Sequence, residues 1–336
     1  MSTRSFVVSR AESGRSLAAT LGARFSLSPL QSKRLVRDQK VRVGGRTCRD
    51  PQRRLTAGQR VVVSGSPDQR HRPRKETHPP ATRSGAAAPI IRYVDKHIVV
   101  VDKPAGLTTV RHRGDVAEFG ARARRFLPET LVDILPGLLA RAGVAGSGRV
   151  RAVHRLDRDT SGLVVLARTP EAERSLGQQF RAHTIARRYV AIVRGRAKPG
   201  RIESYLVADR GDRRRGSGPA DSGKLAITNV RVLEELGDYT VVECRLETGR
   251  THQVRIHLGE SGTPICGERV YDRPVHGKPP PDASGAGRLV LHGAHLEFDH
   301  PASGTRMSWD SPLPSDLSEL LGRLRKRKRG SETPQR

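Results

Sequence analysis

Aromatic and acidic residues are scarce in this chain. Phe, Trp and Tyr make up 4% of its 336 residues, which argues against a broad platform that stacks many bases and leaves room for one or two placed rings. Acidic residues number 34 against 62 Lys and Arg, so the net charge is +28 at pH 7. Because phosphate neutralisation supplies most non-specific affinity for nucleic acids, this excess predicts a polyanionic partner; a merely solvated basic surface is the alternative.

Cysteine and long apolar segments are also in short supply. The three cysteines, Cys48, Cys244 and Cys266, are scattered and lack the spacing of metal ligands, which predicts reduced thiols in a cytoplasmic protein without a metal. No apolar run approaches the about 20 residues that a membrane-spanning helix needs. The first 37 residues have the Arg- and Ser-rich composition of a transit peptide, but they fit a folded module better.

Changes in composition divide the chain into four parts. Residues 1–65 predict a small α+β module, and residues 66–89, rich in Pro, Arg, His, Ser and Ala, predict a flexible basic linker. Residues 90–322 carry strands in runs with few helices between them, which favours an α+β domain over a doubly wound one. The remainder, 323–336, contains a block of five Lys and Arg and is predicted to be a disordered basic tail.

The first part contains a basic helix beside a predicted hairpin. Ser28 followed by Pro29 is a helix-start signal, and Lys33, Arg34 and Arg37 then fall at three- and four-residue spacings on one helical face. Val41 to Arg46 predict a strand followed by a tight turn, and Arg60 to Val63 predict a closing strand. This arrangement suits contacts with an RNA backbone, although a basic helical face can also simply be solvated.

The segment His154 to Gly162 places charged residues directly before a short apolar run, Leu163 to Ala167. Such a run predicts a buried strand. A charge at the start of a buried strand costs free energy unless it is paired or takes part in the function of the protein. Nearby arginines favour the ionised form of a carboxylate. Asp157 and Asp159 are both candidates for acid–base chemistry, but their short spacing does not fix the separation of about 5–10 Å that glycosidases need. Asp159 is better explained as a turn residue, and a structural ion pair stays open for Asp157.

A second polar cluster follows about 100 residues later, from Thr248 to Leu258. If Arg255 and His257 lie on a strand, they share one face with Gln253. His252 and His257 have no third residue that would complete a zinc site. An Asp–Arg pair drawn from the two clusters is the better interpretation.

These residues resemble the RluA family of pseudouridine synthases over residues 90–320. Five motifs occur in the family's order, and the family's signature is His154-Arg155-Leu156-Asp157 with Thr160-Ser161-Gly162. The other four are Arg92–Asp95 with Lys103–Leu107, Arg187–Gly195, Gly249–Leu258 with Gly262–Ile265, and Leu291–Ala294 with Pro312–Pro314. Residues 1–65 look like the alpha-L RNA-binding motif, with departures at Arg15-Ser16-Leu17 and Pro29. In the catalytic part, Arg187 replaces a usual Lys and Glu268 replaces a usual Asp.

The resemblance implies a long, bent, mixed and mostly antiparallel sheet with flanking helices and a central cleft. It implies an isomerase that converts uridine in RNA to pseudouridine without a cofactor or metal. Asp157 is then the catalytic carboxylate, Arg255 pairs with it, and Tyr189 lies against the uracil ring. Arg155 occupies the space that the flipped base vacates, with phosphate binding as its alternative. The expected partner is RNA, with ribosomal RNA favoured over transfer RNA, and we expect a monomer without an obligate protein partner.

Two other functions fit some of these features. A non-catalytic RNA-binding or ribosome-assembly protein has the same charge, but it has no need of Asp157, Tyr189 and Arg255 together. A base-excision glycosylase that uses Asp157 releases free uracil, whereas isomerisation keeps base and sugar joined.

Overall fold

A computed structural model of the chain describes residues 3–25, 27, 29–64, 88–111, 128–146, 148–212, 214–272 and 281–332. The Cα positions divide into two compact units, one holding residues 3–64 and the other residues 88–110 and 130–332. Most of the linker expected at 66–89 lies outside the described residues.

The N-terminal unit is a four-stranded antiparallel sheet with two helices. Its strands pair in the order β1-β4-β2-β3. Leu17, Leu21, Val36, Val41 and Val61 are buried in a shared core. The elements are β1 (Thr3–Val7), a short 3-10 helix (Arg10–Glu12), α1 (Leu17–Phe25), α2 (Pro29–Arg37), β2 (Val41–Val43), β3 (Arg46–Thr47) and β4 (Arg60–Ser64).

Helix α2 carries Lys33, Arg34 and Arg37, as the spacing predicted. The side chains of Arg34 and Arg37 lie outside the described set, as does Ser28, the predicted cap. The tight turn between β2 and β3 is confirmed, because Gly44 and Gly45 both have positive φ angles, 58° and 79°. Such angles suit the twist of a two-residue hairpin and favour glycine.

The C-terminal unit is built on one sheet that has eleven strands within the described residues. Its main path runs β11-β10-β12-β13-β9-β14-β8-β6-β5, with β15 on β14 and β7 on β8. Neighbouring strands are antiparallel except β8 and β14, so the predicted mixed, mostly antiparallel sheet is confirmed. The strands are β5 (Ile90–Val94), β6 (Ile98–Lys103), β7 (Arg151–Ala152), β8 (Ser161–Ala167), β9 (Ala186–Arg194), β10 (Gly200–Val207), β11 (Gly216–Gly218), β12 (Lys224–Glu235), β13 (Tyr239–Leu246), β14 (Leu291–Asp299) and β15 (Arg306–Asp310).

The helices of this unit are α3 (Leu131–Arg141), α4 (Pro170–Arg181), α5 (Gln253–Glu260) and α6 (Ser315–Glu332). Strand β8 is buried at all seven positions, and its alternate residues enter two different cores. Val164 and Leu166 pack in one core with α3, while Leu163 and Val165 pack in the other with α4. A strand covered on both faces has no polar side, which explains the continuous apolar run in the sequence.

The structure differs from the sequence analysis in two segments. Residues 253–257 form α5 and not a strand, because polar and apolar residues there recur every four positions: Gln253 and His257 are buried against β12, and Val254 and Leu258 enter the main core. The tail was expected to be disordered from 323, but α6 continues to Glu332.

Packing and ion pairs explain the ordered tail. Leu317, Leu320, Leu321 and Leu324 are buried at helical spacing, which anchors the first turns of α6 in the core. The basic block at 325–329 is stabilised by an ion pair, since Arg325 pairs with Glu234 at 2.7 Å. Residues 333–336 lie outside the described set.

Candidate active site

Asp157 lies in the turn that leads into β8, and two buried residues, one at the end of β6 and one in the loop after it, fix that turn. Thr109 Oγ1 donates to the Leu156 carbonyl oxygen at 2.8 Å and accepts the Leu156 N–H at 3.2 Å. Lys103 Nζ donates to the carbonyl oxygens of Pro104 and Leu107, both at 2.8 Å, and of Arg158 at 3.3 Å. These hydrogen bonds therefore fix the loop after β6 and the turn that carries Asp157 relative to each other.

Lys103 is fully buried, and its ammonium group is surrounded by carbonyl oxygens rather than by a contacting carboxylate. Burial lowers the pKa of Lys103 to about 7, although Asp157 opposes this shift. The sequence showed Lys103 only as part of a motif, because a lysine at a strand end gives no sign of burial on its own.

The carboxylate of Asp157 faces Arg255, as the Asp–Arg interpretation predicted. Arg255 Nη1 lies 3.5 Å from Asp157 Oδ2. Arg255 is held more tightly from its other side, since its Nε and Nη2 donate to the two oxygens of Glu268 at 2.7 and 2.9 Å. Such a two-point pair fixes both the position and the plane of a guanidinium. Arg255 therefore presents its remaining edge to Asp157.

Glu268 is the member of this array that the sequence did not reveal. Its side chain is wholly buried, and Oε1 also accepts the backbone N–H groups of Arg269, Val270 and Tyr271. Burial alone would raise the pKa of Glu268, but the hydrogen bonds from Arg255 and the backbone outweigh it and lower the pKa. A charged, fully satisfied Glu268 is thus the anchor of the array.

His252 approaches Asp157 from the start of α5. Its Nε2 lies 3.7 Å from Asp157 Oδ1, and its Nδ1 is 2.6 Å from the Tyr271 hydroxyl. His252 has a left-handed backbone with φ of 61°, which turns the chain from β13 into the helix. Burial lowers the pKa of His252, although Asp157 opposes the shift, so the ring is neutral at pH 7.

Tyr189 stands on β9 across from Asp157 and is 8% exposed. Burial raises the pKa of its phenol, so the ring is protonated at neutral pH. A close approach of two glycines leaves room for it. A Cβ on Gly162 would lie 2.3 Å from the Gly293 carbonyl oxygen, and a Cβ on Gly293 would lie 3.5 Å from Tyr189 Cε1. β8 and β14 can therefore pair beside Tyr189 only because Gly162 lacks a side chain, whereas a Cβ at Gly293 would make an ordinary contact with the ring.

Asp157 and Tyr189 line a cavity of about 640 Å³ together with Arg155, Arg187 and Arg250. They also line an adjoining recess of about 50 Å³ with His252 and Arg255. Arg155 is exposed, and its Nη2 donates to Thr251 Oγ1 at 3.3 Å. A carboxylate, a phenol and several guanidinium groups thus surround one space that can receive a polar, anionic substrate.

The sequence-predicted residues Asp157, Arg155, Tyr189 and Arg255 are brought together here. Asp159 is partly exposed and pairs with Arg158 at 3.1 Å, in keeping with a turn residue. Lys33, Arg34 and Arg37 belong to the N-terminal unit. Among the described residues, no group of three or more His, Cys, Asp and Glu could hold a metal ion. No helix in the described part of the chain has the length and apolarity needed to cross a bilayer.

Comparison with known proteins agrees with this geometry. The profile of a family described as RNA pseudouridylate synthase matches residues 97–260. Ribosomal large subunit pseudouridine synthase D of Pseudomonas aeruginosa is 40% identical over 243 residues, which are 70% of this chain and 71% of that protein. The protein of the same name from Escherichia coli is 30% identical over 328 residues, 95% of this chain and 93% of that one.

Among solved structures, human RNA pseudouridylate synthase domain containing 4 superimposes with a TM-score of 0.55 at 23% identity, covering 70% of this chain and 92% of that chain. The fold is therefore that of a pseudouridine synthase. The chain belongs to the RNA pseudouridylate synthase family, in its RluA branch, and is an isomerase that acts on RNA. The likeness of residues 1–65 to the alpha-L motif stays a prediction.

Proposed function

We propose that this protein converts uridine in large-subunit ribosomal RNA to pseudouridine, with Asp157 as the catalytic carboxylate. The array of Asp157, Arg255 and Glu268 at the wall of the cavity, facing Tyr189, carries this proposal. The ribosomal target is supported by the names of the Pseudomonas and Escherichia relatives and by the net charge of +28. Transfer RNA is the alternative target.

The reaction moves one bond and needs no external reactant. The N1–C1′ bond breaks, the uracil turns, C5 bonds to C1′, C5 loses its proton and N1 gains one. Asp157 supplies the carboxylate oxygen at the sugar end of this exchange, and Arg255 keeps that oxygen oriented. The protonated Tyr189 lies against the turning uracil and assists the proton transfer at C5.

The target base must leave its helix before it can reach Asp157, since an active-site pocket cannot close around a nucleotide that is still stacked in a duplex. Arg155 is the residue placed to stabilise the RNA that remains. It is exposed at the cavity wall and bound to Thr251, so its guanidinium can enter the space that the flipped base vacates.

Asp157→Asn tests the catalytic assignment. We expect pseudouridine formation to be lost and RNA binding to stay within a few-fold of wild type, because the shape of the side chain is kept and its nucleophilic or basic oxygen is not. RNA from a strain without this protein is treated with the enzyme, and a carbodiimide-based stop assay maps the product in ribosomal and transfer RNA.

Asp159→Asn is the matched control, because Asp159 is a partly exposed carboxylate two residues away that pairs with Arg158. It should retain turnover. Wild-type turnover by Asp157→Asn would contradict the mechanism. Release of free uracil by the wild-type protein would indicate a glycosylase, and RNA binding without any product would indicate a non-catalytic protein.

Tyr189→Phe separates catalysis from binding at the second residue. The ring remains to contact uracil, so affinity should change little, while the rate should fall at least about 100-fold if the hydroxyl takes part in proton transfer. Single-turnover rates and binding constants are measured on the same RNA. An equal loss in both would make Tyr189 a binding residue only.

A further inference from the structure

The wall of the cavity carries more positive charge than its carboxylate, Asp157, can neutralise. Four arginines line it, and Asp157 is the carboxylate among its lining residues. That carboxylate already faces Arg255. The arginines of the wall are Arg155, Arg181, Arg187 and Arg250.

Arg187 differs from the others because it is buried and has no hydrogen-bond or ion-pair partner in the described part of the chain. It is 8% exposed, and its Nε is buried with no hydrogen bond among the described residues. Its guanidinium carbon packs 5.3 Å from the centre of the Phe180 ring. Burial lowers the pKa of Arg187, and Tyr189 only partly opposes this. Taking a cation out of water costs several kcal/mol unless an opposite charge repays it, and no described carboxylate lies within ion-pair distance.

His154 places a second unpartnered donor against the same ring. Its imidazole stacks on Phe180 at 4.7 Å, and its Nε2 accepts the Val165 N–H at 3.0 Å. Burial, together with Arg187, lowers the pKa of His154 to about 3, so the ring is neutral. Since Nε2 is an acceptor, the proton is on Nδ1, which is buried with no partner among the described residues.

We infer that the Arg187 guanidinium, beside the neutral ring of His154, forms a subsite for a phosphate of the bound RNA, next to the uridine that is flipped toward Tyr189. The inference rests on the proposed function and gives it an anchoring point. A uracil carbonyl can accept a hydrogen bond, but only a group with a formal negative charge neutralises a buried guanidinium. Arg187 and Tyr189 are two apart on β9 and share a face, so one nucleotide can contact both.

Gly249 keeps the space beside this guanidinium open. A Cβ at position 249 would lie 2.6 Å from Arg187 Nη1, which is too close for an undisturbed side chain. Gly249 also lines the cavity. The position of the cation is thus set by the strand that carries it, by Phe180 and by the absence of a side chain at Gly249.

The test combines Arg187→Met, Arg187→Lys and the control Arg188→Gln. Arg188 is the next residue of the strand, is partly exposed and pairs with Glu243 and Asp310, so its variant removes the same charge away from the cavity. Affinity for a 12-nucleotide oligouridylate is measured from 50 to 300 mM KCl. Turnover is measured on protein-free large-subunit RNA from a strain lacking this protein.

Arg187→Met should weaken binding about 10- to 100-fold and reduce the slope of log affinity against log salt by about 0.7, the value for one phosphate of a single strand. Arg187→Lys should keep the slope, and Arg188→Gln should leave both quantities near wild type. The Met variant should also melt at the wild-type temperature or a few degrees above it, because an unpaired buried cation has been removed. A structural role would instead lower the melting temperature.

An unchanged slope and affinity in Arg187→Met would overturn the phosphate subsite. The two proposals fail separately. If wild type makes no pseudouridine but Arg187→Met changes the slope as expected, the proposed function is wrong and the phosphate site stands. If wild type makes pseudouridine and Arg187→Met binds and reacts like wild type, the subsite is wrong and the function stands.

Discussion

Glu268→Gln removes one charge from the array behind Asp157 while keeping the size of the side chain. The Gln Oε1 can still accept the backbone N–H groups that Glu268 accepts now. The Gln amide nitrogen, however, replaces the oxygen that accepts from Arg255 Nε, so two donors face each other. Arg255 is left with Asp157, 3.5 Å away, as its remaining described carboxylate.

The size of the expected losses in stability and rate follows from the burial of Glu268 and Arg255. The Glu268 side chain is wholly buried and that of Arg255 is 11% exposed, so water cannot replace the lost partner. Breaking one side of a buried ion pair costs about 3–5 kcal/mol in free energy of unfolding. A shift of about 1 Å in a positioning group costs about 100-fold in rate, so kcat should fall by about that factor while KM changes little, because Arg255 would no longer hold the Asp157 carboxylate in place.

The assay exploits the single tryptophan of the chain, Trp309, which packs on Phe298 and Tyr93 in the C-terminal unit. Urea unfolding followed by its fluorescence reports on that unit, and single-turnover kinetics report on Asp157. Glu268→Asp keeps the charge and shortens the side chain by one methylene, so it should recover part of both losses. A Glu268→Gln protein within 1 kcal/mol and threefold of wild type would refute this reasoning.

Two further predictions concern pH and the N-terminal unit. Burial lowers the pKa of His257 to about 4, so between about pH 6.5 and 4 the unfolded chain binds a proton that the folded chain does not. The free energy of unfolding should therefore fall by up to about 3 kcal/mol as the pH drops through that window. His257→Gln should flatten the profile of urea midpoint against pH in this range, and a profile identical to that of wild type would contradict the prediction. Replacing Lys33, Arg34 and Arg37 together by Gln should weaken RNA binding at 100 mM KCl and reduce its salt slope, while an unchanged slope would mean that α2 is a solvated face.

Local signals predicted much of the architecture. Leu163 to Ala167 predicted a buried strand, and the structure confirms it as part of β8, which is buried at every position. Arg60 to Val63 predicted a strand, which the structure confirms as β4 with one further residue. These signals depend on a few adjacent residues, so they can be interpreted without knowing what packs against them.

Segments whose secondary structure depends on contacts with distant residues were harder to predict from the sequence. Alternating Arg and His from Arg250 to His257 suggested a strand, but the buried amide of Gln253 binds Ile227 and Thr228 on β12 and stabilises a helix. The basic block at 325–329 looked like a disordered tail until its ion pair with Glu234 was known. Tertiary contacts outweighed the local pattern in both segments.

The sequence by itself determined the composition of the site: a carboxylate at Asp157 before a buried strand, Tyr189 on a later strand and Arg255 in a third motif. Only the tertiary structure decided how these groups are held, because the partners of Arg255 and Lys103 are chosen by folding and not by spacing. Glu268 became the anchor of Arg255 because burial makes a charge pair obligatory there. The same burial left Arg187 without a partner among the residues that the structure describes, in the cavity where we propose that an RNA phosphate supplies the missing charge.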